Sequence, residues 1–245
     1  MKKLLVAGLT GVVAAAGAAV ALAQSTVTWP NVTVTPTISP NKAGTPKHPQ
    51  SVKLKTVFHW AELGAASQPV VTKFHILFPK GSLYNGAHTT RCSVGTLDRS
   101  GPAACAKAAI MGTGTGTAYA DQTLTHPAIT VVNGGAKTIY FYTVLNNPAR
   151  VQEPVIGHLT RMSGKWAYSL SVTVPKNLLI VAGVPIELTS LSVTAGKGAW
   201  LETTSCNGGH WPFSVTTSYE NPNLSPGAPG ATGSASYTAS TPCHK

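Results

Sequence analysis

The chain has 245 residues and a formal net charge of +11, with 18 Lys and Arg against 7 Asp and Glu. Charged residues are only 10% of it, against roughly 25% in an ordinary soluble domain; Thr (31), Gly (24), Val (23) and Pro (18) are abundant, which favours strands and turns over long helices. The basic residues are scattered with no basic run, which argues against nucleic acid as a partner.

Residues 1–23 read as an export signal. Lys2 and Lys3 form a short positive region, Leu4 to Leu22 is an apolar run broken only by Thr10, and Ala21-Leu22-Ala23 is a cleavage site before Gln24. The rival is an uncleaved membrane anchor; the dominance of small residues and the lack of a basic stop-transfer cluster after Gln24 favour cleavage. Removal of those 23 residues, Lys2 and Lys3 among them, leaves 222 residues with a net charge of +9 and no second apolar stretch of spanning length. The predicted location is therefore secreted, with cell-surface association open. One all-β domain commonly reaches this size.

Residues 24–50 are Thr-, Pro- and Lys-containing, with Asn31 to Ile38 a candidate edge strand limited by Pro36. A single β domain is predicted over 51–245. Val52, Leu54, Thr56, Phe58 and Trp60 share one parity, as do Val70, Thr72, Phe74, Ile76 and Phe78. Both are period-two strands with one buried face, and the Ala61–Pro69 connector fits an antiparallel return between them. Cys92 to Cys105 forms a compact loop. In Ile110 to Tyr119, Gly112, Gly114 and Gly116 alternate with Thr. No Lys or strand–loop–helix context supports a phosphate cradle there, so a strand with a bare face packed on another backbone is expected.

Ala128–Val132 and Lys137–Leu145 form a predicted hairpin about Asn133-Gly134-Gly135. Its second strand is apolar on both faces. Val155–Met162 and Lys165–Val174 flank Ser163-Gly164 as a second hairpin. Parity changes between Ile186/Leu188 and Leu191/Val193, which predicts a β-bulge near Ser190 that keeps all four inward. Trp211 to Tyr219 and Ser234 to Ser240 alternate across a Pro/Gly/Asn-rich loop. About ten short strands give an all-β fold: an antiparallel β-sandwich, immunoglobulin-like or jelly-roll-like and stapled by disulfides, with a closed barrel as the alternative.

Cys92, Cys105, Cys206 and Cys243 all lie in the exported part and none has C-x-x-C spacing. Two disulfides follow. Local pairing predicts Cys92–Cys105 and Cys206–Cys243. Pairing of the last two strands brings Cys206 and Cys243 together independently.

Chemistry is sparsely signalled. The acids Glu62, Asp98, Asp121, Glu153, Glu187, Glu202 and Glu220 are all more than ten residues apart. G-x-S-x-G and H-E-x-x-H are absent. Neither a metal nor another cofactor is expected. Among the tryptophans, Trp60, Trp166 and Trp211 share parity with aliphatic residues and are expected in the core. Trp29 and Trp200 are the two outside clear core patterns, too few for a sugar-stacking platform.

Phe78-Pro79-Lys80-Gly81, the Cys92–Cys105 spacing, Ile110-Met111-Gly112-Thr113-Gly114, Thr204 to Trp211 and the terminal Pro242-Cys243 resemble blocks of an uncharacterised family of exported proteins from high-GC Gram-positive bacteria. The resemblance spans roughly residues 50–243 and implies export and a β-rich fold. It carries no activity or site residue. That family leads one to expect Pro after the second cysteine, where this chain has Ala106.

The function expected is structural or binding rather than enzymatic, with a secreted hydrolase as the alternative. If Val52–Trp60 pairs with Val70–Phe78, then Lys53, Lys55, His59, Lys73 and His75 share one outward face without an acid. Such a face suits an anionic cell-wall polymer or a lipid surface. Lys on a strand also guards against edge aggregation.

Overall fold

The computed structural model describes residues 29–62, 69–221 and 230–245. The predicted signal, most of the Ala61–Pro69 connector and most of the loop after Asn221 lie outside the described residues.

In chain order, β1 (Val32–Ser39), β2 (Gln50–Ser51), β3 (Lys53–Trp60), β4 (Val70–Pro79) and β5 (Ser82–Tyr84) come first. The Cys92–Cys105 loop follows and holds α1 (Val94–Ser100), capped where Ser93 Oγ accepts from Thr96 N at 3.1 Å. Then come β6 (Ile110–Ala120), β7 (Thr123–Thr125), β8 (Ala128–Gly135), β9 (Thr138–Leu145), β10 (Val151–Arg161) and β11 (Trp166–Thr173). One helical turn, α2 (Lys176–Leu179), leads to β12 (Ile180–Val181) and β13 (Val184–Ala195). The chain ends with β14 (Leu201–Thr203), β15 (His210–Asn221) and β16 (Ala231–Pro242).

The main sheet runs β1-β3-β13-β6-β8-β9-β10-β11-β4-β15-β16, with β7 and β12 as short additions on β6 and β13. Every neighbouring pair is antiparallel. Eleven alternating strands leave the two edges running the same way. The sheet curls until β1 lies against β16. Just past both strands, Lys42 and His244 form a parallel bridge. The fold is all-β and disulfide-stapled, and of the two expected architectures it takes the barrel. A period-two pattern marks which face is buried in either case; what decides is that one sheet bends round to meet itself instead of stacking on a second.

Alternation supplies the interior. Val32, Val34 and Ile38 of β1 are buried while Thr33, Thr35 and Thr37 are exposed. In β13 the register against β6 shifts between Leu188 and Ser190, so Thr189 is the extra residue. Leu188 and Leu191 both pack against the core. The bulge is where the parity change put it. Gly112, Gly114 and Gly116 stand opposite Ala195, Val193 and Leu191. A Cβ on Gly112 would fall on the Thr194 carbonyl oxygen, and one on Gly114 would lie 2.7 Å from Ser192 O. The glycines let β6 and β13 approach closely, and the segment is strand throughout.

Both predicted disulfides form. Cys92–Cys105 holds α1 over the outside of β8 and β9, where Leu97 packs on Val132, Tyr140 and Tyr142. This covering explains why β9 is apolar on both faces.

Three sequence readings need correction. β3 pairs with β1 and β13, and β4 with β11 and β15, so the two do not form a hairpin. The turn between β8 and β9 is at Ala136-Lys137; Asn133 to Gly135 belong to β8, with a register shift there. Trp200 is buried at 1% exposure, whereas Trp166 is only half-buried.

Candidate functional site: an apolar cavity inside the barrel

Barrel width grows with strand number, and about eight strands already leave an interior that side chains just fill. Eleven enclose more than that. Among the described residues no helix threads the lumen: α1 lies outside, and α2 closes one end with Leu178 and Leu179. Large inward side chains, among them Phe58, Phe74, Phe78, Phe141 and Phe213, take up part of the space. A cavity of about 230 Å³ remains between them. Its wall is almost wholly aliphatic and aromatic, drawn from strands all round the barrel.

The cavity has two chemically different ends. At the α2 end Leu145, Leu178, Leu179 and Ile186 form the wall. At the other end a small sheet, β2-β14-β5, lies across the barrel. It contributes Ser82, Tyr84, Glu202 and Thr203 to the lining. Trp200 packs edge-on against Tyr84 with ring centroids 5.3 Å apart. Thr203 Oγ1 is buried without a hydrogen-bond partner, and Trp200 Nε1 makes no well-aligned hydrogen bond although the Tyr84 hydroxyl lies beside it. Such groups at one end of an apolar space are costly unless something satisfies them, an unpaired one by about 1–3 kcal/mol.

A buried polar hub fixes that end. Asn133, fully buried, donates through Nδ2 to Gly86 O at 2.9 Å and Thr90 O at 3.0 Å and accepts from Gly135 N at 3.1 Å. The Tyr84 hydroxyl donates to Gly135 O at 2.8 Å, with Thr138 O at 3.0 Å. Burial pushes the Tyr84 phenol well above its ordinary range, so it stays a donor. Glu202 accepts from Asn85 Nδ2 at 2.8 Å and Ser51 Oγ at 3.3 Å. No His lines the cavity among the described residues.

The five basic residues singled out from sequence do not share a strand pair. Lys53, Lys55 and His59 are exposed on β3, opposite Ser39, Thr37 and Thr33 of β1. Lys73 is exposed and His75 half-buried on β4, opposite Thr173 and Ser171 of β11. β1, β16 and β15 lie between the two groups round the seam. The neighbours across each strand are neutral hydroxyls, so none of these basic side chains faces another across a strand pair. His59 and His75 are correspondingly not cross-strand neighbours. Among the described residues no group of three His, Cys, Asp or Glu is placed to hold a metal.

Sequence reasoning did not find the cavity. The signal that pointed to it was the strand number combined with the barrel alternative. No protein-family model matches the chain, and no curated protein matches its sequence.

Proposed function

We propose that the barrel is a receptacle for a hydrocarbon-chain ligand, held by an exported or cell-surface protein that binds rather than catalyses. The observation that carries this reading is the continuous apolar wall around a cavity of about 230 Å³. Native interiors rarely leave voids larger than a water molecule, and an apolar cavity of this kind stays dry and takes up apolar guests. By the yardstick of about 24 cal/mol per Å³ of core cavity, leaving it empty costs on the order of 5 kcal/mol. That is a large part of a domain's net stability, and an acyl chain would recover it.

The wall's chemistry favours binding over hydrolysis. Its one carboxylate, Glu202, is engaged by Asn85 and Ser51, with no imidazole beside it among the described residues. The two disulfides fit an oxidising compartment, in keeping with export through residues 1–23.

The test is titration of the protein, produced with both disulfides formed, with a fluorescent long-chain fatty acid. Saturable one-to-one binding, displaced by unlabelled hexadecanoate and retained at high salt by a neutral chain, supports the reading. Absence of saturable uptake of any long-chain compound overturns it.

A further inference from the structure

We infer that the ligand is an amphiphile with an anionic head, and that its head lies outside β5 between Lys80 and Arg161 while its chain runs into the barrel. This rests on the barrel's being a chain receptacle and adds the ligand's charge and direction.

A second pocket, of about 270 Å³, adjoins the polar end of the cavity. Ser82, Leu83 and Tyr168 line both spaces. The two spaces therefore meet at β5 and Tyr168. Lys80 and Arg161, both exposed, line the outer pocket, and no acidic side chain does so among the described residues. Lys165 Nζ sits 4.9 Å from the centroid of the Trp166 ring, on the same rim. Lys80 follows the end of β4 and Arg161 closes β10, so both cations are carried on the barrel frame.

Polarity runs one way along the cavity lining; the other buried ring nitrogen without a well-aligned hydrogen bond, Trp60 Nε1, belongs to a residue that does not line it. The α2 end is aliphatic; the β5 end carries Trp200 Nε1 and the unpaired Thr203 Oγ1, in residues 1% and 2% exposed. Thr203 is the register partner of Ser82, which lines both spaces. An amphiphile whose polar linkage crossed β5 here would bring oxygens to these buried donors and its anionic group to Lys80 and Arg161, the pair of cations suited to a carboxylate or phosphate. A neutral chain would leave both cations unused.

The experiment compares hexadecanoate, hexadecanol and inorganic phosphate by calorimetry and native mass spectrometry. The hosts are the disulfide-bonded protein and a Lys80→Gln, Arg161→Gln double variant, whose exposed positions leave the barrel intact. The anionic chain is expected to bind about tenfold tighter than the alcohol. That preference should vanish in the double variant and shrink at about 0.5 M salt, where charges are screened within a few ångströms, while affinity for the alcohol stays unchanged. Phosphate alone should not bind measurably. Equal affinity for acid and alcohol, or a preference that survives in the double variant, overturns the head assignment and leaves the receptacle standing. Phosphate binding as tightly as the acid makes the outer pocket a free-anion site and also overturns it. Binding of neither chain removes the receptacle itself.

Discussion

Lys42 and His244 pair in parallel beyond the ends of β1 and β16, in a sheet whose strand pairs are otherwise antiparallel. Ala43 N donates to His244 O at 2.8 Å and His244 N to Asn41 O at 3.1 Å. These are the backbone hydrogen bonds that cross the seam among the described residues. Cys243, next to His244, is tied both to Cys206 and, through its N–H, to Gly209 O at 2.8 Å. At the opposite end Trp29 stacks on Tyr219 with centroids 6.1 Å apart and occupies the space beside Gly233. The barrel is closed by two pins and has no continuous ladder along the seam.

The Cys206–Cys243 bond therefore acts on closure as well as on the unfolded chain. A Cys206→Ser, Cys243→Ser variant should lose about 4 kcal/mol and a Cys92→Ser, Cys105→Ser variant about 3, from loop lengths alone. The separations are 37 and 13 residues. Hydrogen exchange should distinguish them further. The first variant opens amides of β1 and β16; the second leaves these protected and exposes β8 and β9 under α1.

Gly112→Ala should destabilise by more than about 3 kcal/mol in urea unfolding, because backbone rather than a pliable side chain occupies the Cβ position. Gly164 has φ +76° with open space around it. Gly164→Ala should cost about 1 kcal/mol, the strain of a left-handed residue alone.

Asn133→Ala should cost about 3 kcal/mol, since it orphans several buried backbone groups at once. Asn133→Asp should cost more, because a carboxylate would face the Gly86 and Thr90 carbonyl oxygens that now accept from Nδ2. Thermal melts of the two variants check the order.

Burial, with the Asp121 charge adding to it, pushes the Glu187 carboxyl up to about 7. The folded state then holds this proton more tightly than the unfolded chain does. Stability should fall as pH rises between about 4.5 and 7 and level off above. The amount should stay under about 1 kcal/mol because the group is partly solvated. Glu187→Gln should flatten that segment of the stability–pH curve and stabilise the protein at pH 8.

Inward parity was legible along most strands, but not at Trp166, where the register of β11 against β4 shifts. Leu188 and Leu191 announced the bulge, and the alternation of β15 and β16 announced their pairing, which brought Cys206 to Cys243. Strand order was not legible. β3 takes β1 as a neighbour although that strand carries Pro36, and adjacency in sequence favoured β4. Asn133 resembled a turn residue because Asn-Gly-Gly serves both turns and bulges; its buried partners come from residues 86–90, distant in sequence. Trp200 lies outside any strand and gave no parity to read. The cavity was hidden for a different reason: alternation tells which side chains point inward, not how far away the opposite wall stands.

Narrowing the lumen shows whether the barrel interior holds the ligand's chain. Val193→Phe and Ala195→Leu place added volume where the side chains line the cavity. Each variant's melting temperature and affinity for hexadecanoate would be measured together. If the lumen is the receptacle, affinity falls about tenfold or more while the melting temperature holds or rises, since the added groups fill empty apolar space. A lower melting temperature with unchanged affinity would contradict the account, placing the ligand elsewhere and showing the interior to be already filled.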